Sequence, residues 1–114
     1  MSDCLFCKIV AGEIPSKKVA ESESAYAFYD IAPQAPVHVI VVPKAHIESV
    51  DHITIDHIGI TDELILLAHQ VTEIEGIRKS GYRLVFNVGA DAQMTVPHLH
   101  MHVLGGRRLE WPPG

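Results

Sequence analysis

Residues 97–104 read Pro97-His98-Leu99-His100-Met101-His102-Val103-Leu104, imidazoles and apolar side chains in alternation. Side chains along a strand repeat every two residues, so this run predicts a β-strand with His98, His100 and His102 on one face and Leu99, Met101 and Val103 on the other. The apolar face is expected to pack and the imidazole face to be presented. One histidine in such a place would read as ordinary surface. Three in register would repel if protonated, which favours neutral rings acting as metal ligands, bases or nucleophiles.

Outward from this run, Tyr82–Val88 alternates as a further strand and Gly89–Thr95 reads as a polar loop between the two. Between Thr54 and Gly76, the residues Ile60, Leu64, Leu67, Val71 and Ile74 recur at steps of three and four, the signature of one helix face. Thr54 or Thr61 can cap its start, Asp62 and Glu63 suit the N-terminal dipole, and Gly76 suits a left-handed terminator. Toward the N-terminus, Lys18–Glu21 and Ala25–Tyr29 flank Ser22-Glu23-Ser24 as a hairpin, and the β-branched run Val37–Val42 follows Pro33 and Pro36. Cys4–Val10 forms a short helical stretch ended by Ala11-Gly12. Strands bracketing one long helix predict an α+β fold with a mainly antiparallel sheet of about five strands.

The 114 residues are 47% hydrophobic and 20% charged, the composition of one globular domain spanning residues 1–114. A formal net charge of −5 disfavours a protein that binds nucleic acid by neutralising many phosphates. No apolar run approaches the ~20 residues of a membrane span, and the start lacks a signal pattern, so no membrane association and a cytoplasmic setting are expected. In a reducing compartment Cys4 and Cys7, a C-x-x-C pair, suit a metal or a redox dithiol. No strand precedes the pair, which disfavours a thioredoxin-like role.

Stacked imidazoles can bind one metal through all three rings or divide nucleophilic and acid–base roles. A metallohydrolase site usually adds a carboxylate, and none occurs between Thr95 and Arg108. The loop before the histidines, Asn87 to Thr95, offers backbone N–H groups and a hydroxyl, which suit a phosphate.

With these residues in hand, the chain resembles the histidine-triad (HIT) nucleotide-binding family, and within it the Hint branch. His98-Leu99-His100-Met101-His102-Val103-Leu104 matches the triad signature. Cys4-Leu5-Phe6-Cys7-Lys8-Ile9, Gly12-Glu13-Ile14-Pro15, Asp30–His38, Val41–His46, Gly81-Tyr82-Arg83 and the ending Leu104–Arg107 with Trp111-Pro112-Pro113-Gly114 match in the same order.

The resemblance implies hydrolysis of purine nucleoside 5′-phosphoramidates, or of aminoacyl-adenylates, through a covalent nucleotidyl-histidine. His100 matches the nucleophile, its other ring nitrogen held protonated by a main-chain carbonyl. His102 matches the residue that hydrogen-bonds or donates a proton beside the transferred phosphate, and His38 a fourth active-site histidine. Asp30 matches the carboxylate that accepts from the ribose hydroxyls, although a turn cap before Pro33 explains it equally. Phe6, Ile9, Ile14, Phe28 and Ile31 match the apolar base slot; spacing alone makes all five core. Asn87 and Thr95 match residues that position phosphate and leaving group, and Gln93 is counted with them among the nucleotide-binding positions. Many family members place Gly-Gln where this chain has Gln93-Met94, so Gln93 can offer its backbone N–H only if its φ is allowed.

Zinc-bearing relatives imply one structural zinc on Cys4, Cys7, His46 and His98, a closed tetrahedral set, against the alternative of free cysteines and a surface His46. No organic cofactor is implied. The branch further implies a homodimer joined through the long helix and an edge strand, with Trp111 reaching the leaving group in the partner's site. His52, His57 and His69 fall outside the matched motifs and are read as surface. Rival functions are a non-catalytic nucleotide-binding or protein-interaction module, or a dinucleoside polyphosphate hydrolase; Trp-Pro-Pro-Gly argues against the latter.

Overall fold

The computed structural model describes residues 3–114. Five strands, β1 (Lys18–Glu21), β2 (Ala25–Tyr29), β3 (Val37–Pro43), β4 (Tyr82–Val85) and β5 (Met101–Gly105), form one antiparallel sheet in the order β1-β2-β3-β5-β4. Helix α1 (Leu5–Val10) precedes them and helix α2 (Ile60–Ile74) lies between β3 and β4. The expected α+β class, hairpin and pair of helices are all present. Among the described residues no helix is long and apolar enough to cross a membrane.

Strand alternation sorts the core into two layers. Ala25, Ala27, Val39, Val41, Met101 and Val103 face Leu64, Leu67, Ala68 and Val71 of α2. Phe28, Ile40 and Val42, on the opposite face, pack against Phe6 and Ile9 of α1. Both faces are therefore covered, and the second one carries the histidines: Ile40 pairs with His102 and His38 with Leu104 across β3 and β5.

Three boundaries differ from expectation by two residues or more. The last strand begins at Met101 and not at Pro97, because Pro97 has no N–H and the next two amides bond outside the ladder, His98 N–H to Val96 O and Leu99 N–H to Ile47 O. β4 ends at Val85 and not Val88, since its last partner, His102, is already the second residue of β5. Thr54 caps a short 3₁₀ turn (Ile55–His57), and Gly59 at φ 96° sits before α2, placing Thr61 inside the first turn with Asp62 and Glu63.

The far end of α2 follows the sequence more closely. Gly76 adopts φ 71°, and the Ile77 and Gly76 amides bond back to Thr72 O and Glu73 O, a Schellman stop. Buried Ile77, just past the stop, joins the core, whereas Ile74, in the last turn of α2, is 57% exposed.

Leu67 is 1% exposed between helix and sheet. Leu67→Ala is expected to cost about 2–5 kcal/mol, the range for a buried leucine truncated where surroundings collapse only partly. Urea unfolding checks it; a change under about 0.5 kcal/mol would remove this helix face from the core.

Candidate active site and metal cluster

The bend at residues 96–98, just before the strand, gives each triad histidine a different environment. His98 is fully buried, His100 is 7% exposed and His102 half-buried. The expectation of a presented imidazole face is thus corrected: Phe6 of α1 covers it, its ring edge-on to His100 at 5.0 Å and to His98 at 5.9 Å between centroids. Phe28 stands 5.6 Å from Phe6 in a similar T-shaped contact.

Main-chain groups assign the ring protons of the first two. His98 Nε2–H donates to the Pro43 carbonyl over 2.9 Å, which turns Nδ1 toward the cysteines. His100 Nδ1–H donates to the His98 carbonyl over 2.7 Å, leaving Nε2 with its lone pair. Burial pushes the His100 imidazole below its ordinary range, against the pull of the His98 carbonyl and Asp30. A neutral ring with one free lone pair is what nucleophilic attack requires.

His102 is flanked by two further groups. Its Nδ1 lies 2.8 Å from Nε2 of His38, and the latter lies 3.4 Å from Oδ2 of Asp30. Burial, with His100 and His38 nearby, pushes His102 down to about 4; burial also lowers His38, opposed by Asp30. His38 is 5% exposed, a buried position on β3. Asp30 does cap a turn, accepting the Ala32 N–H at 2.7 Å through Oδ1, yet its other oxygen faces the histidines.

The slot residues divide. Phe6, Ile9 and Phe28 are buried together and Ile14 packs against them, joined by Ile40 and Val42, which the sequence did not single out for it. Ile31 is fully exposed, correcting its assignment to the core; it follows Asp30 in the loop outside the sheet, where no element packs on it. Asn87 is half-buried just beyond β4, and Gln93 and Thr95 are exposed in the loop before the triad. Gln93 adopts φ 60°, the left-handed region that glycine occupies freely. Its N–H donates to Ala90 O and that of Met94 to Gly89 O, so the Gln93 amide is engaged within the loop instead of facing a phosphate.

Four donors from α1, the segment after β3 and the bend converge. His98 Nδ1 lies 3.2 Å from Cys4 Sγ, 3.5 Å from Cys7 Sγ and 3.2 Å from His46 Nδ1, and His46 Nδ1 lies 3.3 Å from Cys7 Sγ. A tetrahedral zinc site has edges of about 3.4 Å between nitrogens and 3.6 Å between nitrogen and sulfur, so the set fits a metal with little adjustment. All four donor atoms lie within 4.8 Å of one another. His46 is exposed as a residue although its ring nitrogen is turned inward.

The main-chain carbonyl expected beside His100 is that of His98; the Pro43 carbonyl and the amide of Gln34, which contacts His38, had no signal in the sequence, because every residue carries a similar main chain. His52, His57 and His69 lie apart: His52 pairs with Glu48 and His57 closes a capping box on Thr54.

A family model for the HIT domain matches residues 11–109. The chain is 45% identical over 112 residues to an uncharacterised HIT-like protein of Synechococcus elongatus, covering 98% of this chain and 97% of that one. The solved HIT family hydrolase from Legionella pneumophila superposes with a TM-score of 0.94 at 44% identity, over 98% of this chain and all of the other. The histidine triad nucleotide-binding protein from Candida albicans superposes at 0.81 with 31% identity, over 96% and 83%. Sequence and fold thus agree along nearly the whole chain, and it belongs to the HIT domain family.

Proposed function

We propose that this chain hydrolyses purine nucleoside 5′-phosphoramidates or aminoacyl-adenylates through a nucleotidyl-histidine formed on His100. The observation that carries this is the bond from His100 Nδ1–H to the His98 carbonyl, which leaves Nε2 as the one nucleophilic nitrogen of that ring. The relatives described as a HIT family hydrolase and a nucleotide-binding protein support the same class. His100 Nε2 attacks the α-phosphorus, the P–N bond breaks, and the nitrogen leaves as an amine after gaining one proton. Water then cleaves the phosphohistidine and returns that proton with the mononucleotide. Phe6, Ile9, Ile14 and Phe28 form the base slot, Asp30 accepts from the ribose, His102 lies beside the phosphate, and Asn87, Gln93 and Thr95 border the leaving group.

Cys4, Cys7, His46 and His98 would hold one zinc. A closed set of thiolates and imidazoles supplies structure and no catalytic position. It would tie α1, which carries Phe6, to the bend that precedes the nucleophile.

The active unit in this proposal is a homodimer. Leu66 is 61% exposed on α2, near exposed Ile65 and Ile74, and Trp111 is 79% exposed near the end. Arg83 on edge strand β4 holds the tail, donating to the Glu110 carbonyl at 3.1 Å with its guanidinium 5.8 Å from the indole centre. A held but uncovered indole suits contact with the partner's leaving group.

Three outcomes are expected. Brief reaction with an adenosine 5′-phosphoramidate traps a nucleotidyl adduct on His100, and His100→Ala loses it with turnover down about 10⁴-fold or more. An adduct elsewhere, or binding with no turnover in the wild type, sinks the nucleophile assignment. Protein purified without chelator carries about one zinc per chain and loses thermal stability when stripped, whereas Cys4→Ser and Cys7→Ser lower the metal content; a metal-free protein of unchanged stability contradicts the cluster. Sedimentation gives a dimer at micromolar concentration, and deleting residues 110–114 alters preference among amine leaving groups while AMP binding is kept. A monomer, or unchanged preference, counts against the corresponding half.

A further inference from the structure

The bonds behind His102 determine which protonation states it can adopt. The main-chain N–H of Gln34 donates to Nδ1 of His38 over 3.0 Å. A ring nitrogen that accepts carries no proton, so His38 is neutral with its N–H on Nε2. That N–H meets Nδ1 of His102 at 2.8 Å, the shorter of its two contacts, and makes this nitrogen an acceptor as well. The proton of His102 is then on Nε2, the nitrogen turned away from His38.

We infer that His102 serves the proposed reaction as a neutral hydrogen-bond donor through Nε2–H, held there by Gln34 and His38 as positioning residues, and is not the acid that protonates the leaving nitrogen. This rests on the phosphoramidase reading for its reaction, though not for its chemistry. An imidazolium at His102 needs a proton on Nδ1, where the His38 N–H already points; an imidazolium at His38 needs one where the Gln34 N–H points. The chain of donors therefore keeps both rings neutral beside a carboxylate, Asp30, that would otherwise draw a proton onto them. Burial of both rings acts in the same direction.

The lock is built into the loop before β3. Arg107 Nη2 donates to the Gln34 carbonyl at 3.2 Å, and the Gln34 side-chain amide donates to Ala32 O at 2.9 Å. Gly106, at φ 89°, lies so close to Pro36 that an added Cβ would stand 2.9 Å from the proline Cβ. The end of β5 thus presses on the loop whose amide sets the tautomer. The same bonds rule out a divalent ion on Asp30, His38 and His102, although their donor atoms lie within 4.8 Å, because His38 Nε2 holds a hydrogen where the ion needs a lone pair.

Proton balance follows. His100 Nδ1–H is committed to the His98 carbonyl, so the leaving nitrogen takes its proton from solvent water as the P–N bond breaks. The hydroxide left behind is neutralised by the proton released when a second water attacks the phosphohistidine.

The test is ¹⁵N NMR of histidine-labelled, metal-replete protein at neutral pH, free and saturated with AMP. His38 and His102 should each show an unprotonated Nδ1 and a protonated Nε2 in both states. His38→Ala should let His102 move its proton to Nδ1, toward Asp30, with kcat on an adenosine 5′-phosphoramidate lower by about tenfold or more. His38→Gln, whose side-chain amide can donate to the same nitrogen, should restore the Nε2–H form and most of kcat. A His102 protonated on both nitrogens with AMP bound, a wild-type Nδ1–H form, or equal losses in the two variants would overturn the inference. The ring signals require no turnover, so an inactive protein with the expected tautomers faults the phosphoramidase reading alone.

Discussion

The hydrogen bond from His98 Nε2–H to the Pro43 carbonyl ties the end of β3 to the residue where the last strand has yet to begin. It buries His98 without leaving a polar atom unpaired, and turns Nδ1 toward Cys4, Cys7 and His46. It also fixes the peptide whose carbonyl receives the His100 proton. Two main-chain acceptors, the carbonyls of Pro43 and His98, therefore separate two histidines of the same run, the proposed ligand and the proposed nucleophile, by leaving opposite ring nitrogens free. A buried neutral imidazole has one proton and two nitrogens, so its chemistry depends on which of them has a partner.

Helix α1 is the second constraint. Six residues make a helix too short to persist alone, and its place is secured by what it touches. Cys4 caps it, its sulfur accepting the Cys7 N–H at 3.4 Å, and the same sulfur meets His98. Phe6 and Ile9 enter the layer formed by Phe28, Ile40 and Val42. The thiols and the apolar residues thus alternate around the helix between a polar cluster and a hydrophobic slot. Anything that loosens the cluster would also loosen the wall against His100.

Much of this was legible beforehand in periodicity. The alternation from His98 to Val103 placed histidines and apolar residues on opposite sides, and steps of three and four marked Leu64, Leu67 and Val71 as the buried face of α2. Both patterns depend on side-chain direction, which local backbone geometry dictates. Boundaries were less legible, because Pro97, Gly59 and the last pairing of β4 depend on which backbone groups find partners. Ile74 and Ile31 were misplaced for a related reason: an apolar side chain is buried only where the chain's path brings another element over it. His38 was the reverse, a residue that composition alone would leave on the surface and that the loop before β3 encloses.

By itself the sequence determined the α+β class, the ligand-forming residue types and the facing of the triad, all of which follow from side-chain chemistry and short-range period. Tertiary structure decided what each histidine is. Pro43, His98 and Gln34 act through carbonyls and an amide that any residue could supply, and they reach their imidazoles only after β3, its preceding loop and the bend before β5 are assembled. A ring's tautomer is set by the group opposite its nitrogen, and that group is chosen by the fold.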